Sequence, residues 1–260
     1  MLNEKNVVII GGSRGIGESI AKLFAKNRAN ITLMSRSKKD LKRVTDEIVL
    51  LGGKANWIFM DISDVKSVTT AFEKFRLFNK KINILINNSG IYRENSETYD
   101  DNKINLEAIY NLINTNMLGY WWSTIIAQDL IIDSGSIVNI SSVNGILGKS
   151  KSDIYDMTKA AINNMTLNHA RKLSLRKIRV NAICPSSTIT PMRDDAMNRY
   201  LKNKSREEFD NYEADTIPFK RLCDPQEIAE VALFLASDKS QYITGQIISV
   251  DGGFLLKPVF

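Results

Sequence analysis

Tyr155 and Lys159 stand four residues apart, so on a helix they share one face, a phenol one turn from an ammonium. A free phenol titrates at about 10, too high for ready exchange near neutrality, and a nearby cation favours its ionised form. Ser141-Ser142 closes an apolar run shortly before the pair, offering hydroxyls close to it in the chain. In isolation such a spacing is common and mostly decorative, but these residue types are compatible with proton transfer at an oxygen atom.

A second group of residues suits a phosphate. Gly11-Gly12-Ser13-Arg14-Gly15-Ile16-Gly17 follows an apolar run and opens a helical pattern, so backbone N–H groups and the positive end of a helix dipole can meet an anion there. The spacing is G-x-x-x-G-x-G, not the G-x-G-x-x-G of the general dinucleotide fold. Such a turn can also be plain punctuation. The next apolar run ends in Ser35-Arg36, where an acid would bind a free ribose 2′-hydroxyl. With Arg14 in the glycine turn, two guanidiniums could converge on a 2′-phosphate, which predicts NADP(H) over NAD(H). Both arginines could instead be solvated surface residues.

The elements that must position these groups follow from the apolar pattern. Runs of strand length occur at 7–10, 31–34, 57–60, 82–86, 137–140, 180–184 and 247–250. Segments with three- and four-residue apolar spacing lie between them, as in Ile16, Ile20, Leu23 and Phe24, or Ile154, Met157, Ala161 and Met165. Uncharged strands alternating with helices predict an α/β fold, a Rossmann-like doubly wound seven-stranded parallel sheet with helices on both faces. The 260 residues fit one domain. The stretch 190–218 is polar with little periodicity and reads as a lid, with Tyr200, Phe209 and Tyr212 as its contacts to a ligand or to its own protein.

Composition excludes other classes. Cys184 and Cys223 are far apart and outside any CxxC spacing, which argues against a disulfide framework or zinc site and suits a reducing cytoplasm. One histidine, His169, leaves no His-rich metal cluster. No basic start, apolar stretch and cleavage site predicts export, and no apolar stretch is long enough to span a membrane. The net charge of +6 is spread among acids, which argues for a small anionic ligand rather than nucleic acid.

The ordered motifs resemble the short-chain dehydrogenase/reductase family through nearly the whole chain: Gly11, Gly15 and Gly17; Asp61-Ile62; Asn87-Asn88-Ser89-Gly90; Asn116; Ser142; Tyr155 and Lys159; Pro185 with Thr190; Tyr242-Ile243-Thr244-Gly245; and Asp251-Gly252-Gly253. The resemblance implies that Tyr155 protonates a carbonyl oxygen while NADPH delivers hydride to its carbon. It implies that Lys159 holds ribose hydroxyls and lowers the Tyr155 pKa, that Ser142 binds the substrate oxygen, and that Asn116 positions a water relay. Gly11, Ser13, Arg14, Gly15, Ile16 and Gly17, with Ser35 and Arg36, then cradle the phosphates. Asp61 and Ile62 meet the adenine, Asn88 and Gly90 line the cleft, and Pro185, Thr188 and Thr190 lie along the nicotinamide half. The chain departs from the family at Ile10, usually threonine; at Ser89, usually alanine; at Ser186, usually glycine; and at Thr188, often apolar.

Within the family the chain looks like 3-oxoacyl-carrier-protein reductases and related ketoreductases. Arg176 matches a basic position used there to meet the acidic carrier, while Asp133 stands where a second basic residue is common and the lid is longer. The expected substrate is therefore a small or medium ketone, with a carrier-bound 3-oxoacyl group as the alternative and a non-catalytic NADP(H) sensor as a third reading. Resemblance also suggests a homotetramer packed through helices around 105–129 and 153–174, and the apolar tail 254–260 suits an interface or a cover for the active site.

Overall fold

The computed structural model describes residues 1–78, 81–92, 104–200 and 205–256, with the side chains of 196 and 198–200 outside the described set. In chain order the strands and α-helices are β1 (Asn6–Ile10), α1 (Gly15–Lys26), β2 (Asn30–Ser35), α2 (Lys38–Leu50), β3 (Lys54–Phe59), α3 (Val65–Phe78), β4 (Ile82–Asn87), α4 (Leu106–Leu112), α5 (Gly119–Ala127), β5 (Ile131–Ile140), α6 (Asn144–Leu147), α7 (Asp153–Leu173), β6 (Arg179–Pro185), α8 (Pro191–Tyr200), α9 (Arg206–Asp215), α10 (Pro225–Ala236) and β7 (Ile247–Val250).

The strands form one seven-stranded sheet in the order β3-β2-β1-β4-β5-β6-β7, and every neighbouring pair is parallel. Successive strand residues feed opposite faces, as the pleat requires. Val7 and Ile9 pack with Phe24, Ile228 and Leu233 on one side, and Val8 and Ile10 pack with Phe72, Tyr120 and Ile162 on the other. The chain runs out to β3 and then returns across β1 to lay down β4. The carboxyl ends of β1 and β4 thus flank a topological switch point, where open α/β sheets bind ligands.

Three departures from the sequence expectation have local causes. β3 begins at Lys54, three residues before the apolar run, because it is an edge strand whose Trp57 and Phe59 stay 37% and 42% exposed. β5 begins at Ile131, since a register irregularity carrying Ser134 at φ 62° and Gly135 lets the strand pass through polar residues. The stretch 190–218 contains two helices, α8 and α9, although their sequences carry no apolar stripe. Caps help to set the helices that matter for the site. The Ser152 side chain accepts from the Tyr155 N–H at the start of α7, with Asp153 and Asp156 in its first turn and Arg171 and Lys172 in its last.

Candidate active site

A cleft of about 1050 Å³ runs along the carboxyl ends of the central strands. Its first end is built on the glycine turn. Gly11 holds φ at 77°, and a Cβ there would lie 2.7 Å from the Ser89 backbone nitrogen. A Cβ at Gly17 would lie 2.1 Å from the Gly11 carbonyl oxygen, so α1 can start against the turn only without a side chain at that position. Asn88 Nδ2 donates to the Gly11 carbonyl at 2.9 Å, which ties the turn to β4 where Ile10 offers no hydroxyl. Ser13, Arg14, Gly15 and Ile16 line the cleft at the start of α1. Ser35 Oγ donates to Ser13 Oγ at 2.9 Å, and Ser35 and Arg36 join the wall from the end of β2. Among the described residues Arg14 and Arg36 enter no ion pair, whereas Arg43 nearby is held by Glu18 at 2.7 Å and Glu47 at 2.9 Å.

The other end gathers Ser142, Tyr155 and Lys159. Ser142 follows β5, and α6 packs directly on α7: a Cβ at Gly145 would lie 2.5 Å from the Lys159 carbonyl carbon. Ser141 Oγ donates to the Lys159 carbonyl at 3.0 Å, while Lys159 Nζ donates to the Ile140 carbonyl at 3.1 Å. Two hydrogen bonds thus fix the serine segment to the helix that carries the phenol. Tyr92 meets the Tyr155 ring edge-on, with centroids 4.9 Å apart. Tyr155 is 8% exposed and Lys159 5%.

Electrostatics at this end correct one sequence expectation. Burial raises the Tyr155 pKa above its ordinary 10, opposed by a hydrogen bond with Ser142. The Lys159 ammonium, 5.7 Å from the Tyr155 ring centroid and donating to the Ile140 carbonyl, does not outweigh that burial, so the net direction is upward. Burial brings Lys159 itself down from 10.5 to about 8. The phenol is therefore held protonated at neutral pH, ready to give a proton rather than to take one.

Ile62, Asn88, Gly90, Pro185, Thr188 and Thr190 also line the cleft. Gly17, Asp61 and Asn116 stand behind the lining. The Asp61 carboxylate accepts from the Ser63 N–H at 2.9 Å and its hydroxyl at 2.7 Å, leaving Met60 and Ile62 on the wall. Asn116 sits in a π-helical turn, Ile113–Leu118, that breaks the expected long helix between α4 and α5. Its amide accepts from the Ile91 N–H at 2.8 Å and donates to the Ile91 carbonyl at 2.9 Å, so it shapes the segment after β4. Phe209 and Tyr212 line the cleft, and the Tyr200 side chain lies outside the described residues. The sequence reading did not identify Tyr92, Thr115, Ser187 and Arg193 on the wall, whereas Phe254 there fits the apolar tail as a cover for the site. Only Ser187, two residues past Pro185, carried a local signal.

No group of three or more metal-ligating side chains occurs among the described residues, and none of their helices is long and apolar enough to cross a membrane. The chain matches the family model described as enoyl-(acyl carrier protein) reductase over residues 11–255. It is 34% identical to oxidoreductase UcpA of Escherichia coli (strain K12), covering 98% of this chain and 96% of the relative. It is 35% identical to 3-oxoacyl-[acyl-carrier-protein] reductase FabG of Thermotoga maritima, covering 98% and 99%. Among solved structures, the short-chain dehydrogenase/reductase from Serratia marcescens BCRC 10948 is 27% identical and superimposes with a TM-score of 0.86 over 97% of this chain and 98% of that one. On the strength of these matches and of the shared fold, the chain belongs to the short-chain dehydrogenase/reductase family of nicotinamide-dependent oxidoreductases.

Proposed function

We propose that this chain is an NADPH-dependent ketoreductase that converts the ketone of a small or medium-sized substrate to a secondary alcohol. One observation carries the reading: a single cleft joins the glycine turn, Arg14 and Arg36 at one end to Ser142, Tyr155 and Lys159 at the other. The residues present suit a dinucleotide. The Gly11 turn leaves no room for a side chain, and the buried Ser186 hydroxyl beside Pro185 has no partner in the protein, leaving a group that a bound cofactor can satisfy.

In this reading Gly11 to Ile16 receive the phosphates, Arg14 and Arg36 the 2′-phosphate, and Pro185, Thr188 and Thr190 the nicotinamide half. The reduced nicotinamide, when bound, supplies the hydride. Ser142 donates to the carbonyl oxygen and Tyr155 gives that oxygen its proton as charge develops on it. Lys159 presents its ammonium to ribose hydroxyls. Reduction is the expected working direction because cells generally hold NADPH reduced.

A carrier-bound 3-oxoacyl substrate is the second reading, favoured by the relative from Thermotoga maritima. Arg176 speaks against it. Its guanidinium is spent on Asp133 at 2.9 Å and on the carbonyls of Gln128 and Ile131, so it is not a free cation for an acidic partner. The exposed Leu106, Tyr110 and Trp121 on α4 and α5, with Met157 and Leu167 on α7, support a homotetramer packed through these helices. Residues 257–260 of the apolar tail lie outside the described set. One 260-residue domain working in the cytoplasm, with α8 and α9 as its lid, completes the proposal.

Titration with NADPH and with NADH, followed by a ketone panel including a 3-oxoacyl thioester, tests it. Tighter NADPH binding, with turnover that Tyr155→Phe abolishes while cofactor still binds, is the expected result. NADH preference removes the role of Arg14 and Arg36. NADPH binding without any turnover, unchanged in Tyr155→Phe, replaces the enzyme with a sensor.

A further inference from the structure

Helix α9 borders the substrate end of the cleft, yet none of its residues is buried. Its sequence, Arg206-Glu-Glu-Phe-Asp-Asn-Tyr-Glu-Ala-Asp215, has no apolar stripe to dock on the sheet. A helix of this length draws its stability from tertiary packing, which apolar burial does not supply here. Something else must hold it in place.

We propose that Arg193, on α8, is the positioning residue that fixes α9 as a wall of the substrate site. Its side chain is 7% exposed, its Nη2 donates to Asp210 and its Nε to Glu213, both at 2.5 Å. The guanidinium also lies over the Phe209 ring, 4.9 Å from the centroid. One buried fork therefore grips three residues of α9, with charge-assisted hydrogen bonds that salt screens only lightly. A second ion pair between the two helices, Arg206 to Asp194 at 2.9 Å, is 55% and 33% exposed and holds far less.

Glu213 extends the link. Its second oxygen accepts from Ser187 Oγ at 3.3 Å, in the segment after β6 that carries Pro185, Thr188 and Thr190 along the same cleft. Phe209 and Tyr212 form part of the cleft wall beside Arg193 and Glu213. Arg193 thus sets where two aromatic rings stand at the substrate end, although it need not touch the reacting atoms. The capping box of Ser205 and Glu208 at the start of α9 is closed by those two residues alone and does not use Arg193.

The inference rests on the ketoreductase reading for its kinetic arm only. The test compares wild type with Arg193→Met, Arg193→Lys and Glu213→Gln, on the whole protein. In Arg193→Met, KM for the ketone should rise at least tenfold while kcat stays within about threefold. Chymotrypsin cleavage after Phe209 and Tyr212, read by mass spectrometry, should be at least tenfold faster. Arg193→Lys, able to serve one carboxylate at a time, should fall between, and Arg193→Met with Glu213→Gln should be no worse than Arg193→Met alone. Cooperative melting in each variant shows that the fold persists. Unchanged cleavage after Phe209 and Tyr212, or a loss confined to kcat, overturns the proposal. A wild type that reduces no ketone would sink the ketoreductase reading instead, and the cleavage rates would still decide the role of Arg193.

Discussion

Replacing Lys159 by Met should make the cofactor-free protein more stable while removing its activity. The ammonium is 5% exposed, donates to the Ile140 carbonyl at 3.1 Å, lies 5.7 Å from the Tyr120 and Tyr155 ring centroids, and faces no carboxylate among the described residues. Burial lowers its pKa from 10.5 to about 8. At about 1.4 kcal/mol for each pKa unit, keeping the charge inside costs about 3 kcal/mol at pH 7. The lost hydrogen bond and ring contacts return about 1–2 kcal/mol of that. The Met variant should therefore gain about 1–2 kcal/mol, a rise of a few degrees in Tm, and lose turnover by ~100-fold or more. The pH dependence has a definite sign. Between pH 8 and 10.5 the unfolded chain keeps the Lys159 proton and the folded one releases it, so this contribution to wild-type stability rises with pH. The advantage of Met is full below pH 8 and fades toward 10.5. Urea unfolding of both proteins at several pH values measures the difference. A Met variant less stable than wild type at pH 7, or a gap that does not narrow at high pH, would refute Lys159 as an uncompensated buried cation.

Arg36→Ala and Arg14→Ala should each weaken NADPH binding by about 10- to 100-fold and leave NADH binding within about threefold, by fluorescence titration at fixed salt. Equal losses for both cofactors would remove the 2′-phosphate from the argument. Gly17→Ala places a methyl 2.1 Å from the Gly11 carbonyl oxygen, so α1 must retreat; a stability loss of about 1–3 kcal/mol and weaker cofactor binding should appear together in thermal melts and titrations. Arg176→Ala should cost about 1–2 kcal/mol of stability through its lost carbonyl and Asp133 contacts, with kcat/KM on a small ketone unchanged. If instead it selectively destroys turnover on a carrier-bound substrate, Arg176 is a docking residue.

Much of this molecule is legible in its sequence because local physics sets it. Apolar runs of strand length between helical patterns determine a parallel sheet buried on both faces, and the glycine turn after β1 and the Tyr155–Lys159 spacing on α7 locate the two ends of the cleft. Strand limits at β3 and β5 were not legible, since an edge position and a backbone irregularity override composition there. Nor were the charges. A four-residue spacing predicts a lysine beside a tyrosine, but whether that cation lowers the phenol or spends itself on a carbonyl depends on burial and direction, which only the packed helix and the end of β5 decide. The polar stretch 190–218 shows the same division: its sequence carries no apolar stripe, and α9 is fixed by a guanidinium from α8 reaching carboxylates 17 and 20 residues away. Sequence determines which residues can bury themselves; which buried charges meet is a property of the folded chain alone.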